Sequence, residues 1–171
     1  MSTMSDSKAR RLQHRNLPLL LLQARERVIS HFRPILNSRG ITEQQWRIVR
    51  VLLEVPALEP RQIGELCAIS SPSMAGVLER MEQAGYLTRR RVEHDQRRVL
   101  VSLTRKSRRL AAEMAPEIEA TYRRLEETLG AEFSNQLHSM LDYLFEKLPV
   151  LETPPAPAAA VDRSERRSRR L

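Results

Sequence analysis

Residues 86–103 constrain the fold most, because their apolar side chains alternate with polar ones while the segments on both sides show helical spacing. Residues 86–92 and 97–103 are predicted as two strands, and residues 93–96 join them. Such alternation over two short runs with a brief connection predicts an antiparallel β-hairpin. Before and after it, apolar residues recur at intervals of three, four and seven, which predicts helices. The expected fold class is therefore mainly α with one hairpin.

Two helices are predicted at the start of the folded region. The first covers residues 17–37, begins after Asn16 and stops before Gly40. The second covers residues 43–55 and has Thr42 as its N-cap. Its inward face is expected to hold Trp46, Val49, Leu52 and Leu53.

A pair of short helices joined by a tight turn precedes the hairpin. The first covers residues 61–68, with Leu66 inward, and a turn at residues 69–71 leads to the second, which has Ser71 as its N-cap and ends at Gly85. This arrangement is typical of a helix-turn-helix, with an ordinary helical hairpin as the alternative. In a helix-turn-helix the second helix enters the DNA major groove. The candidate DNA contacts on it are Ser71, Ser73, Gly76 and Arg80.

The hairpin carries an unusual concentration of positive charge. Its arginines are Arg89, Arg90, Arg91, Arg97 and Arg98. Five like charges on two short strands repel each other, and DNA phosphates would neutralise that repulsion. Arg97, near the tip, suits the negative potential of a narrow minor groove, and Asp95 would brace it by a charge-assisted hydrogen bond. The alternative is a solvated basic edge that discourages aggregation.

The charge along the chain is uneven. The whole sequence carries a formal charge of +8 and has a pI of about 10.7. Residues 89–109 hold nine basic and two acidic residues, whereas residues 110–151 hold three basic and eight acidic ones. Part of the basic set opposes the dipole at the start of the next helix, namely Arg105, Lys106, Arg108 and Arg109. This distribution favours a nucleic-acid partner, although these four side chains could also simply extend into water.

Two helical segments are predicted after the hairpin. The first covers residues 104–129, with a kink or break at Pro116. The second lies between Gly130 and Pro149.

The apolar stripes of residues 17–36 and 110–148 exceed what a winged domain of some 65 residues can cover. A symmetric homodimer would bury them and present two recognition helices to a palindromic double-stranded DNA operator; a monomeric bundle is the alternative. The expected organisation is a winged helix-turn-helix with flanking dimerisation helices. Its parts are a flexible basic arm (1–16), an N-terminal dimerisation helix (17–40), the DNA-binding domain (41–104), C-terminal dimerisation helices (105–150) and a disordered Pro/Ala/Arg tail (151–171).

The sequence argues against an enzyme, a metal site and a cofactor. Its four histidines are scattered without zinc-ligand spacing, and it contains neither a glycine-rich phosphate loop nor a recognisable nucleophile motif. Cys67, the one cysteine, has apolar neighbours, which favours a buried thiol over a redox sensor. No apolar run reaches the length of a membrane helix, so no membrane partner is expected and the expected location is the cytoplasm.

The residues 95–104, Asp-Gln-Arg-Arg-Val-Leu-Val-Ser-Leu-Thr, resemble the wing signature of the MarR family of bacterial regulators. The order of helices and hairpin over residues 17–148 is similar to that family as well. Residues 16–26 and 31–36 resemble the subgroup that regulates homoprotocatechuate and related aromatic-acid catabolism.

This resemblance implies a triangular homodimer with Arg97 in the minor groove and Asp95 supporting it. It also implies a repressor that a small phenolic or aromatic carboxylate releases from DNA, bound between the DNA-binding lobe and the dimerisation helices. By position, the lining would include Arg15, His31, Trp46 and Arg50. The main alternative function is an architectural DNA-binding protein with little sequence specificity, and a protein–protein adaptor is a third possibility.

Overall fold

A computed structural model describes residues 14–149. The elements follow in the order α1 (Leu17–Ser30), α2 (Arg33–Ser38), α3 (Glu43–Glu54), α4 (Pro60–Cys67), α5 (Ser71–Gln83), β1 (Leu87–Val92), β2 (Asp95–Leu103), α6 (Arg105–Leu129) and α7 (Ala131–Lys147). Residues up to Thr128 form one compact unit, and α7 belongs to a second. Most of the predicted basic arm and all of the predicted C-terminal tail lie outside the described residues.

The single helix predicted over residues 17–37 is wrong, because the chain forms two helices there. Pro34 lies in the first turn of α2, where the missing N–H of proline costs nothing. The turn between the helices is closed by the Phe32 N–H, which donates to the Ile29 carbonyl at 3.0 Å. Because Phe32 is buried, the turn directs an aromatic ring into the core.

The predicted start of α3 is confirmed. Thr42 and Gln45 form a capping box, in which each side chain accepts a hydrogen bond from the other residue's N–H. Trp46, Val49 and Leu52 are buried as predicted. Leu53 is exposed instead of inward, because one residue beyond Leu52 the helix has turned by about 100°.

The two helices α4 and α5 are joined by residues 68–70, one position earlier than predicted. Ser70 is the N-cap of α5, and Ser71 is its first residue. The tight turn depends on Gly64, where an added Cβ would lie 3.2 Å from the Ile69 carbonyl oxygen. Leu66 is 60% exposed, so its predicted burial is wrong. The buried face of α4 contains Ile63 and Cys67, which are one turn apart.

The predicted hairpin is confirmed, with its second strand starting two residues earlier than expected. Leu87 pairs with Leu103, and Arg91 pairs with Val99. An isolated bridge between Leu58 and Val101 ties the hairpin to the segment before α4. Leu87, Val101 and Leu103 are buried, which fixes one side of the hairpin against the core.

The helix α6 runs through Pro116 without a break, so of the two predicted outcomes the break is wrong and the kink stays a prediction. A proline inside a helix removes one hydrogen bond and crowds the preceding turn. Met114 and Ile118 flank it and are almost fully buried, and this packing offsets the local cost. Tyr122 and Leu129, which the sequence places on the same apolar stripe, are about half exposed.

The helices α1 and α7 each carry apolar side chains that their own unit leaves in solvent. Neither helix has a buried residue within the described chain. Exposed residues include Leu17, Leu19 and Leu22 on α1 and Phe133, Met140 and Phe145 on α7. On each helix, exposed apolar side chains in this number are typical of an interaction surface. No helix of residues 14–149 is both long and apolar enough to cross a membrane.

Candidate nucleic-acid interface

The predicted contact residues of α5 share its exposed face. Met74, Val77, Leu78 and Met81 fix the opposite face in the core. Ser71, Ser73 and Arg80 are therefore exposed, and Gly76 is half-buried between them. The Ser70 hydroxyl donates to the Ser73 hydroxyl at 3.2 Å, so the start of the helix presents two linked hydroxyl groups.

Gly76 provides space for the side chain of Arg80. An added Cβ at Gly76 would lie 3.3 Å from Nη1 of Arg80, so the guanidinium lies back over the glycine. A larger residue at this position would displace Arg80. The sequence analysis named both residues as candidate DNA contacts. It did not predict that the absence of a side chain at Gly76 leaves room for the Arg80 guanidinium.

The five hairpin arginines divide into two groups, although the sequence predicts DNA contacts for all of them. Arg89 forms an ion pair with Glu82 of α5 at 2.8 Å. Arg98 donates from Nε to Glu59 at 2.6 Å. Both charges thus have partners inside the chain. Arg90, Arg91 and Arg97 are exposed and form no ion pair with any residue of 14–149.

Asp95 stabilises the tip of the hairpin in a different way from the predicted one. Its Oδ1 accepts a hydrogen bond from the main-chain N–H of Arg97 at 3.1 Å, and not from the guanidinium. The Gln96 amide donates to the carbonyls of Val92 and Glu93 at 3.4 and 3.3 Å. These bonds order the backbone of the tip and leave the Arg97 side chain free to extend.

The basic residues at the start of α6 also divide. Lys106 donates to the carbonyl of Ala84 at 2.8 Å, and its ammonium lies 4.5 Å from the centre of the Tyr86 ring. Arg105, Arg108 and Arg109 are exposed. The unfavourable position of Lys106 at a helix N-terminus is thus explained by contacts within the protein.

The four predicted effector residues are not brought together in one chain. Trp46 is buried, and Arg50 lies one turn later on α3, where it is exposed and 3.9 Å from Glu54. Arg15 precedes α1 and His31 follows it. A helix of this length separates its ends by about 21 Å, so these two residues cannot contact the same small molecule from one chain.

A cluster of ion pairs, here called the α1–α3 junction, consists of Arg25, Glu26, Arg33 and Glu43. Arg33 bonds to Glu26 at 2.8 Å and to Glu43 at 2.7 Å, and Arg25 bonds to Glu43 at 2.8 Å. The bond from Arg33 lowers the pKa of Glu26. Partial burial raises the pKa of Glu43, but the bonds from Arg25 and Arg33 outweigh it, so this pKa is also lowered.

An open cleft of about 470 Å³ adjoins this junction, and none of the four predicted effector residues lines it. Its lining consists of Arg33, Leu36, Asn37, Gly40, Ile41, Thr42 and Glu43.

The sequence analysis did not predict three contacts that lie near the candidate residues. Arg47 donates to the Cys67 carbonyl at 2.5 Å and thereby caps the end of α4. The centroid of the half-exposed Tyr122 ring lies 4.8 Å from that of the Phe32 ring. Phe32 directly follows the candidate His31 in the sequence. Thr104 and Ser107 donate to main-chain carbonyls that follow α5. Main-chain acceptors leave no signal in the sequence, which is why the first and third were not foreseen.

Cys67 is buried, as predicted, and burial raises the pKa of its thiol while the nearby Arg47 partly opposes that rise. A neutral buried thiol is a poor nucleophile. Within residues 14–149, no group of histidine, cysteine and acidic side chains could hold a metal ion.

A family model, a curated relative and two solved structures that this chain resembles all point to the MarR family of transcriptional regulators. A model described as "MarR family" matches residues 39–98. The homoprotocatechuate degradative operon repressor of Escherichia coli is 40% identical over 129 residues, which cover 75% of this chain and 87% of the repressor. The crystal structure of the transcriptional regulator PA4135 is similar at 42% identity and a TM-score of 0.77, over 80% of this chain and all of that one. NadR in complex with 4-hydroxyphenylacetate is similar at 38% identity and a TM-score of 0.69, over 84% and 97% of the two chains.

Proposed function

The chain belongs to the MarR family of transcriptional regulators, and we propose that it represses an aromatic-acid catabolic or related operon until a small aromatic carboxylate releases it from DNA. The relatives support both halves of this proposal. One is named as a repressor of homoprotocatechuate degradation, and another was crystallised with 4-hydroxyphenylacetate. The protein would act in the cytoplasm, where its operator is.

One observation carries the DNA-binding part. Arg90, Arg91 and Arg97 are exposed on the hairpin and have no carboxylate partner within residues 14–149. In this proposal α5 is the recognition helix, with Ser71, Ser73, Gly76 and Arg80 facing the major groove. The wing, meaning β1 and β2, places Arg97 in the minor groove and Arg90 and Arg91 against phosphates. Arg89 and Arg98 have internal partners and would contribute less.

The proposed assembly is a homodimer on a palindromic operator. The uncovered apolar side chains of α1 and α7 supply the surface that a second copy would bury. Residues 17–40 and 105–150 would form the dimerisation region, and residues 41–104 would form the DNA-binding domain.

The proposed effector site uses Trp46 as an apolar wall and Arg50 as the carboxylate partner. Because α1 separates Arg15 from His31 by about 21 Å, a site that uses both must take them from different copies of the chain. Each site would then require the dimer, and an effector bound there could alter the spacing of the two recognition helices.

The experiment starts by selecting a preferred duplex from a random DNA library with the purified full-length protein. Fluorescence anisotropy then measures its affinity for that duplex and for a scrambled duplex of equal length at 150 mM salt. We expect at least about a thousandfold preference for the selected duplex. Equal affinity for both would contradict the repressor and favour an architectural DNA-binding protein. Failure to bind either duplex at low salt would favour an adaptor.

The effector is tested by adding hydroxyphenylacetates, hydroxybenzoates and hydroxynicotinates to the preformed complex. At least one should release the DNA, and Arg50→Ala should weaken that response about tenfold or more while leaving DNA affinity unchanged. Arg27→Ala, which alters an exposed arginine of α1 outside the proposed site, is the control. If none of the acids releases the DNA, the inducible part of the proposal is wrong.

A further inference from the structure

Three consecutive main-chain carbonyls follow α5, and each accepts a hydrogen bond from a side chain at the start of α6. The Lys106 ammonium donates to Ala84 at 2.8 Å. The Thr104 hydroxyl donates to Gly85 at 2.8 Å, and the Ser107 hydroxyl donates to Tyr86 at 2.6 Å. We call this set of contacts the α5–α6 clasp.

The clasp joins a buried contact to two exposed ones: the Ser107 bond lies in the packed interior, and the Thr104 and Lys106 bonds lie at the surface above it. Ser107 is fully buried, and a buried hydroxyl requires a hydrogen-bond partner. The Thr104 N–H adds a further bond to the Tyr86 carbonyl at 3.1 Å. The backbone between the helices is also held in shape, because Gly85 has a φ of +73°, a conformation that few other residues adopt.

Lys106 connects two helix termini of opposite polarity. Its charge opposes the dipole at the start of α6 but favours the negative end of α5, where Ala84 is the C-cap. The same ammonium lies over the Tyr86 ring, so this exposed side chain is held back against the protein by one hydrogen bond and one ring contact. A lysine engaged in this way is poorly placed to bind a phosphate.

From these contacts we propose that Thr104, Lys106 and Ser107 are positioning residues, which fix the angle of the recognition helix α5 relative to α6 and do not themselves bind DNA. This inference rests on the proposed function, in which α5 enters the major groove. It also gives the proposed repressor a physical connection between α6 and the DNA-reading surface. A shift of α6 would move the carbonyls that end α5.

The test compares Lys106→Gln with Arg90→Gln, a variant of a proposed phosphate contact. The probes are the selected duplex and the scrambled duplex of equal length, each titrated by anisotropy between 50 and 300 mM salt. Lys106→Gln should lower the selected-to-scrambled affinity ratio about tenfold and leave the salt slope unchanged. Arg90→Gln should weaken both duplexes alike and reduce the slope by about 2, since a dimer loses two contacts.

Two further variants guard against a trivial loss of folding. Thr104→Val removes one clasp hydroxyl with little change in shape and should lower the ratio to a smaller extent. Lys106→Arg keeps a cationic donor and should retain most of the ratio. Circular dichroism and the melting temperature check that each variant is folded.

The outcomes separate the two proposals. If Lys106→Gln reduces the salt slope by about 2 at an unchanged ratio, Lys106 binds phosphate and the positioning role is wrong. If neither Lys106→Gln nor Thr104→Val changes the ratio, the clasp does not set the helix angle. If the wild-type protein itself shows no preference for the selected duplex, the proposed function fails, and this inference fails with it.

Discussion

The arginines of the wing and those of the α1–α3 junction differ in what neutralises them. At the junction, Arg25 and Arg33 are bonded to Glu43, and Arg33 is also bonded to Glu26. On the wing, Arg90, Arg91 and Arg97 have no such partner within residues 14–149. The number of positive charges therefore does not identify a polyanion-binding surface. The wing is distinguished by several exposed arginines that lie close together in sequence and lack carboxylate partners within residues 14–149.

The difference has a physical reason. Ion pairs at a protein surface contribute little to stability, so the junction is better understood as fixing the orientation of α1 against α3. Unpaired arginines on adjacent strands repel each other and weaken the hairpin slightly. They also produce a positive potential that attracts phosphate and raises the rate of association with DNA.

The largest expected effect comes from the tip of the wing. Arg97→Ala should weaken binding to the selected duplex by about 10- to 100-fold, because it removes a cation from the groove. Arg98→Ala, the matched change at the arginine bonded to Glu59, should have a much smaller effect. Anisotropy titrations at 150 mM salt measure both. Equal losses would remove the distinction between paired and unpaired arginines.

A smaller effect is expected when a paired wing arginine is released. Glu82→Gln removes the carboxylate that holds Arg89 and should tighten binding to the scrambled duplex by about threefold, since one more cation faces the phosphates. Glu119→Gln, an exposed change on α6, is the control for lost negative charge. If both variants tighten binding equally, net charge and not pairing explains the gain.

The smallest effect concerns the junction at acid pH. The lowered pKa values of Glu26 and Glu43 mean that their bonds stabilise the folded state above the ordinary value of 4.5 and are lost as the pH falls below it. The wild type should therefore melt higher than Glu26→Gln/Glu43→Gln at pH 6, and the difference should shrink as the pH is lowered below 4.5. Melting curves followed by circular dichroism measure this. A difference that grows on acidification would contradict the pairing.

Much of the fold could be predicted because its signals are local. Thr42 and Gln45 lie three residues apart and form the capping box that starts α3. In the second strand of the hairpin, Val101 and Leu103 are buried while Ser102 between them is only half-buried, and this alternation is visible in the sequence. Where a signal was ambiguous the prediction failed, as with Pro34, which is compatible with the end of one helix or the start of another.

The parts that could not be predicted depend on distant partners. Glu59 lies 39 positions before Arg98, and nothing local marks it as the carboxylate that neutralises this arginine. Pro116 is unfavourable in a helix by its own properties, and only the burial of Met114 and Ile118 explains why α6 continues. The sequence therefore predicted candidate residues for the site but not which of the arginines have carboxylate partners within the protein.

The most direct test of this account compares the salt dependence of DNA binding in two triple variants, Arg90/Arg91/Arg97→Gln on the wing and Arg25/Arg33/Arg39→Gln around the junction. Arg39 joins the second set because it is bonded to Glu117 at 3.1 Å. Each set removes three positive charges per chain, so the change in net charge is the same. The wing variant should lower the slope of log K against log salt by about 5 per dimer, at about 0.9 for each lost contact, while the junction variant should leave it nearly unchanged. Equal reductions in the two variants would contradict the central claim.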